Sequence, residues 1–426
     1  MQEAPASGQP PPPDRSASAS RKAARSVRYS GRVTRRLALL SLVVLIALAC
    51  GQSETSRAHQ IVLGAIYPLS GPQAEGGKQE LAGVQAALRV SGVNVRLQVI
   101  DATTPQAASA AVDTLVRDYH VPAILGTYGS TLAAAASARA EELKTVYWET
   151  GAVADPITTQ RHYVFRTVAT GSALGRIAVT FTHDVLMPSA PLTAPRAVVV
   201  RVNDIYGRSV GGGEEQLARA DGINVVDVIE YNPSAYDADV IAARLAQDRP
   251  DYLWDVSYID DGITIWNAVL AHHIKLKGAI GTSSAFCMQQ FSERVGAGSI
   301  GVYAADKPDA SISLAALSPS GQALLARAKA AYQGSMEIPA MAGFVGGWTL
   351  FHYVIPNAGA SISAASIRAA ALKVDVPAGD SINGGGVKFA GPGTLDEGQN
   401  TRAAAVVGQW QAVGVMKVVY PPAYAN

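Results

Sequence analysis

The sequence predicts an α/β protein made of two similar, doubly wound lobes of parallel sheet. Three observations carry that expectation. Short apolar, β-branched runs alternate with alanine-rich helical stretches, the order that parallel α/β units require. The alternation occurs twice, the second set beginning near Arg196. The chain has 426 residues, enough for two cores of ordinary size.

In the first set, "QIVLGAIYPL" (60–69) reads as a buried strand and "KQELAGVQAALRV" as the helix after its turn. "VRLQVID" is a strand ending at Asp101, and "TPQAASAAVDTLVRDY" a helix with Val112, Leu115 and Val116 at helical spacing. "VPAILGTY" and "KTVYWET" are two further strands, separated by the helix "TLAAAASARAEEL". "TGSALGRIAVTFTHDVL" closes the set as a helix. In the second set, "RAVVVRVN", "INVVDVIEY", "DYLWDVSY", "LKGAIGT" and "SIGVYAAD" are strands. Helices stand between the first four, one of them weakened near its start by Gly211 to Gly213. Beyond Asp306 come the helices "SPSGQALLARAKAAY", "PAMAGFVGGWTLFHYVI" and "SAASIRAAALKVD". A Gly- and Pro-rich stretch follows, then a hairpin-like pair turning at Gly414.

The N-terminal 50 residues read differently. Met1 to Arg32 is rich in Pro, Ser, Gly and Arg and predicts disorder. Arg35 and Arg36 then precede a short apolar run, Leu37 to Ala49, which is signal-peptide anatomy. Ala47, Leu48 and Ala49 before Cys50 resemble the cleavage and lipidation box of bacterial lipoproteins, although Leu is more usual where Ala47 stands. On that reading Cys50 carries lipid, residues 51–59 form a tether, and the mature protein sits outside the cytoplasm, anchored to the membrane. An uncleaved anchor is the competing reading. The long basic region also makes Val33 an alternative translation start. An N-terminal peptide beginning upstream of Val33 excludes that start.

Composition excludes several functions. The net charge of +1 gives no footprint for nucleic acid. The two cysteines, Cys50 and Cys287, define no disulfide framework. "GTYGSTLA" lacks the lysine of a phosphate loop, "LGTYGS" lacks the glycine spacing of a nucleophile elbow, and the first strand leads into no dinucleotide fingerprint. His272 and His273 are helix neighbours that cannot face one ion. Cys287 has no metal-ligand spacing and reads as a small buried hydrophobe. No catalytic cluster stands out, and no metal or cofactor is expected.

Ligands of open α/β sheets bind at the carboxyl ends of strands. The polar residues there include Tyr67, Tyr128, Ser130, Asn203, Asp204, Tyr206, Tyr258, Asp260, Asp261, Ser283 and Ser284. Gly129 and Ser130 open a helix whose first N–H groups lack intrahelical acceptors and whose dipole favours an anion. Ser130 or Thr131 capping its own helix is the competing structural role. Gly151 and Ala152 in "ETGAVADP" offer backbone donors or simply a turn.

The ordered set "IVLGAIYPLSGPQAEGGKQELAGVQAAL", "VIDATTPQAASAAVDTLV", "ILGTYGSTLAAAA", "VVVRVNDIYGRSVGGG" and "VKFAGPGTLDEGQNTRAAAVVGQWQ" resembles the substrate-binding proteins of branched-chain amino-acid ABC transporters, the Leu/Ile/Val type. The resemblance runs from Gln60 to Pro422. It implies a hinge of three crossovers, an interlobe ligand cleft and no catalysis. It also implies a monomer that delivers a small polar solute to ABC permease subunits. Lobe one is placed at 60–190 plus 309–395, and lobe two at 191–308 plus 396–422. A ligand sensor of the same fold without a permease is the alternative.

Carried over by position, Ser130 binds the ligand carboxylate, Gly151, Ala152 and Val153 form a contact loop, and Tyr206 and Tyr258 are lobe-two aromatics. Val153 stands where the family commonly has Thr. Ser283 falls where amino-acid binders place an acid for the ligand ammonium, with Asp260 or Asp261 as possible substitutes. The family's lobe-one disulfide is also missing. The expected ligand is therefore an amino acid, an amide or a small carboxylate.

Overall fold

A computed structural model describes residues 60–426. The leader, the tether and Cys50 lie outside the described residues. Five strands, β1 (Ile61–Tyr67), β2 (Val95–Asp101), β3 (Ala123–Gly126), β4 (Val146–Glu149) and β5 (Val164–Arg166), form one sheet in the order β2-β1-β3-β4-β5. Every pairing in it is parallel. Helices α2 (Pro105–Arg117) and α3 (Ser130–Glu142) cover one face. Helix α1 (Ala74–Ser91) and segments from beyond residue 310 cover the other. β5 had no sequence reading, because three residues carry no period.

The second sheet contains β6 (Arg196–Val202), β7 (Asn224–Tyr231), β8 (Tyr252–Val256), β9 (Gly278–Thr282) and β10 (Tyr303–Asp306). β11 (Asp375–Val376) and β12 (Val387–Lys388) form a small separate pair. The closing hairpin, β13 (Val406–Ala412) and β14 (Val415–Tyr420), joins the second sheet antiparallel at β10. The order is β14-β13-β10-β9-β8-β6-β7. Gly414 turns the hairpin with φ +72°, which glycine adopts at little cost.

Helix α4 (Gly171–Phe181) packs on α5 (Ile205–Ala220), and Ala178, Val179 and Phe181 share a core with Val199 and Trp254. Residues 171–190 therefore belong with the second sheet rather than with lobe one. The apolar face of α4 matches either lobe in sequence, and only the packing partner decides. Helix α5 also starts earlier than the glycines suggested, because Asp204 caps it through Gly207 N–H at 2.9 Å.

Three crossings link the lobes: after β5, after β10 and before β13. They lie side by side. Asn400 Nδ2 donates to the Thr167 carbonyl at 2.9 Å, and Gln399 Nε2 to the Val168 carbonyl at 2.8 Å. Val168, Lys307, Pro308, Ala403 and Ala404, drawn from all three crossings, line one small cavity.

Helices α6 (Ala238–Asp248), α7 (Ile259–Ala271) and α8 (Gln289–Val295) belong to lobe two, and α9 (Pro319–Tyr332), α10 (Ile338–Trp348) and α11 (Ala364–Ala371) return to lobe one. The helical run Ile338–Asn357 is long and apolar enough to cross a membrane, but 89% of its apolar window is buried inside the fold. It is a core helix, crossing α1 at very short range. A Cβ on Gly343 would lie 2.0 Å from the Glu80 carbonyl oxygen, and one on Gly83 would lie 2.0 Å from that of Ala340. Gly343→Ala should thus lower unfolding free energy by about 1–3 kcal/mol. Urea denaturation checks this, and an unchanged midpoint would mean the crossing yields freely.

Candidate functional site

A narrow cavity lies between the lobes at the carboxyl ends of both sheets. Lobe one contributes Glu80, Tyr128, Ser130, Gly151, Ala152, Val153 and the first turn of α10. Lobe two contributes Tyr206, Tyr258, Ser283, Ser284 and Met288, and Asp306 and Lys307 enter along the second crossing. The lobes touch around it: Tyr128 Oη lies 3.3 Å from Ser284 Oγ, Thr131 Oγ1 donates to Asp204 at 3.3 Å, and Asp155 N–H donates to Ser209 Oγ at 3.1 Å. These contacts define a closed cleft.

Ser130 is the first residue of α3, and the residue before it, Gly129, supplies no side-chain cap. The hydroxyl therefore does not cap its own helix. Its oxygen accepts from Val153 N–H at 3.3 Å and Ala154 N–H at 3.2 Å. With the oxygen's acceptor capacity engaged, its proton is the group left to donate into the cleft. Gly129 itself stands behind this surface, among residues that do not line the cavity.

Gly151 and Ala152 line the cavity but do not offer the backbone donors suggested by the sequence. Both N–H groups donate to Glu149 Oε1, at 2.8 and 2.7 Å. Burial pushes the Glu149 carboxyl well above its usual range, the neighbouring Glu80 pushes it further, and these backbone donors pull it back. Val153 presents only apolar surface in the loop.

The tyrosines divide. The Tyr206 hydroxyl donates to the Thr282 carbonyl at 2.7 Å, and the Tyr258 hydroxyl to Asp204 at 2.8 Å. Their rings sit 5.2 Å apart in the cavity wall, so they offer a ligand ring surface. Tyr67 is not in the wall at all. It is fully buried behind it, with its hydroxyl 2.8 Å from Thr150 Oγ1.

Ser283 does reach the cavity, from a left-handed backbone with φ +61°. Asp260 does not. It lies on the surface, 2.6 Å from Arg294. Asp261 is buried against the Tyr231 hydroxyl, away from the cavity. Neither replaces the acid that Ser283 lacks.

Three charged residues of the cleft escaped the sequence reading. Lys307 Nζ pairs with Asp306 Oδ1 at 2.8 Å, and both side chains are nearly buried. Asp306 ends β10, so the strand-end rule that selected the other candidates also covers it. Glu80 comes from the middle of α1, where that rule does not look. It is fully buried, and Thr150 Oγ1 donates to its Oε1 at 2.5 Å. Its Oε2 has no hydrogen-bond partner in the protein. Burial raises the Glu80 carboxyl to about 7, against the pull of Thr150 and Lys307. Among the described residues no group of three or more His, Cys, Asp or Glu could hold a metal ion.

Two parallel-sheet lobes, three side-by-side crossings and a closed cleft of aromatic, hydroxyl and charged groups define a two-lobe solute trap. The chain belongs to the periplasmic binding protein family, whose sequence profile matches residues 60–413. It is 28% identical over 395 residues to the Leu/Ile/Val-binding protein homolog 8 of Brucella suis, spanning 89% of this chain and 96% of that one. Its fold is similar to that of a leucine-binding protein from Thermotoga maritima, with TM-score 0.73, 18% identity, and coverage of 84% of this chain and 97% of the other. It is also similar to a Rhodopseudomonas palustris ABC-transporter solute-binding protein solved with benzoate, with TM-score 0.70, 18% identity, and coverage of 86% and 96%. The relatives are binding proteins rather than enzymes, and this chain is an extracytoplasmic solute receptor.

Proposed function

We propose that the protein traps a small carboxylate-bearing solute and delivers it to the permease of an ABC transporter. The observation that carries this is the Ser130 hydroxyl, engaged as an acceptor by Val153 and Ala154 N–H, at an uncapped helix start in the cavity wall. Such a group donates to an anion, and the helix dipole favours one there. Two structural relatives support the reading through their ligands. One was solved with isoleucine and the other with benzoate, and the two ligands share a carboxylate. The binding set is Ser130, Val153, Tyr206, Tyr258 and Ser283, with Gly151 and Ala152 shaping the wall.

Mass spectrometry of small molecules released from the purified, denatured protein tests the proposal. A released solute with no acidic group overturns it. Ser130→Ala should weaken binding of the released carboxylate about 10-fold or more, the value of one hydrogen bond to a charged group. Titration calorimetry measures this.

The finer placement, a lipid on Cys50 that holds the receptor at the membrane, rests on the leader sequence. A mature N-terminus other than acylated Cys50 in the membrane fraction rules it out.

A further inference from the structure

The cleft must handle the carboxylate of Glu80. One oxygen is fixed by a relay in which Tyr67 Oη lies 2.8 Å from Thr150 Oγ1, and Thr150 donates to Glu80 Oε1. The other, Oε2, is buried in the cavity wall without a protein partner. A buried acceptor left unpaired is costly, and a charged one more so. Lys307 pairs with Asp306 and acts on Glu80 only through its charge, without a hydrogen bond to Oε2.

The position of Oε2 is built rather than incidental. The α1–α10 crossing fixes the Glu80 backbone against Gly343. A Cβ on Gly151 would fall 1.9 Å from Oε2, so the carboxylate in this position lies directly against the Gly151 backbone. The same loop runs on to Val153 and Ala154, whose N–H groups hold Ser130 Oγ.

We propose that Glu80 of lobe one, through its unpaired Oε2, binds an ammonium group on the ligand. The acid expected from lobe two at Ser283 is thereby replaced from the opposite lobe. The ligand is a small zwitterion whose apolar remainder packs on Met288, Ile338, Pro339 and Ala342. This rests on the receptor reading above and on the carboxylate seat at Ser130.

The test compares three probes of one skeleton on the wild-type protein by titration calorimetry at pH 8: L-leucine, 4-methylpentanoate and 3-methylbutylamine. L-leucine should bind at least about 10-fold more tightly than 4-methylpentanoate, the lower bound for a hydrogen-bonded charge. Glu80→Gln should abolish that preference, because Thr150 still donates to the amide oxygen and turns the NH₂ toward the cleft. The result that overturns the proposal is 4-methylpentanoate binding as tightly as L-leucine, or Glu80→Gln leaving the preference intact. Binding of 4-methylpentanoate alone removes the ammonium seat and leaves the receptor reading standing. No binding by any of the three removes the zwitterion assignment. The receptor reading is then decided separately, by the solute released from the purified protein. The wild-type comparison needs no variant, so a misfolded Glu80→Gln does not rescue the idea.

Discussion

Arg166→Ala should destabilise the protein by about 3–5 kcal/mol, the range for stripping one partner from a buried ionic network. The guanidinium is fully buried at the end of β5, where the first crossing begins. Its Nε donates to Gln399 at 2.6 Å, one terminal nitrogen to the Ala154 carbonyl at 2.6 Å, and the other to Thr158 at 3.2 Å. Burial pulls it down to about 10, while Asp155, Glu149 and Asp396 act to keep it charged. Truncation removes donors from three buried acceptors at once. Because Gln399 in turn donates to Val168, the loss also loosens the first and third crossings. Urea denaturation measures the effect. A shift below about 1 kcal/mol, within the range of an ordinary surface change, would contradict it.

The second large effect is with pH. Burial raises Glu80 to about 7, Glu214 to about 8, Asp255 to about 8 and Asp261 to about 6. Each folded carboxyl holds its proton after its unfolded counterpart, near pH 4, has lost it. Between those limits the native state binds more protons, so stability falls as pH rises, and for these four groups the fall ends above about 8. Paired surface carboxylates such as Asp113 and Asp375 are lowered by their partners and act below about pH 4, outside this window. The unfolding free energy of the ligand-free protein should drop by at least about 2 kcal/mol between pH 5 and pH 9, the share of Glu80 alone. Removing the Glu214 and Asp255 charges with Glu214→Gln and Asp255→Asn should flatten that slope. Stability that rises with pH over the same range would reverse the sign and refute the buried-carboxyl account.

The fold was legible because it depends on patterns that repeat. Strands such as β1 and β6 are nearly continuous apolar runs, and helices such as α2 show their buried stripe in Val112 and Leu115. The lobe borders were less legible, because α4 carries an apolar face that does not say which sheet it meets. The cleft was half legible. Ser130, Val153, Tyr206, Tyr258 and Ser283 lie at strand ends or helix starts, where a general rule directs attention. Glu80 was invisible to that rule. It sits in mid-helix as one charge among others, and its burial is decided by α10, some 260 residues later in the chain. Tyr67 obeyed the rule and still failed, because its hydroxyl is used one layer behind the wall. A position near a strand end thus identifies the neighbourhood, whereas the partner of each polar atom decides its role.

The glycine crossing of α1 and α10 also bears on how such a receptor changes over evolutionary time. The lobe-one wall is welded to a core. Any new side chain at Gly83 or Gly343 meets a carbonyl oxygen, and any at Gly151 meets Glu80. The lobe-two wall at Ser283, Ser284 and Met288 rides on a loop and a single turn of 3₁₀ helix. Descendants of this gene that acquire new solutes would therefore vary the lobe-two loop first, and keep the lobe-one acid as an inherited constraint.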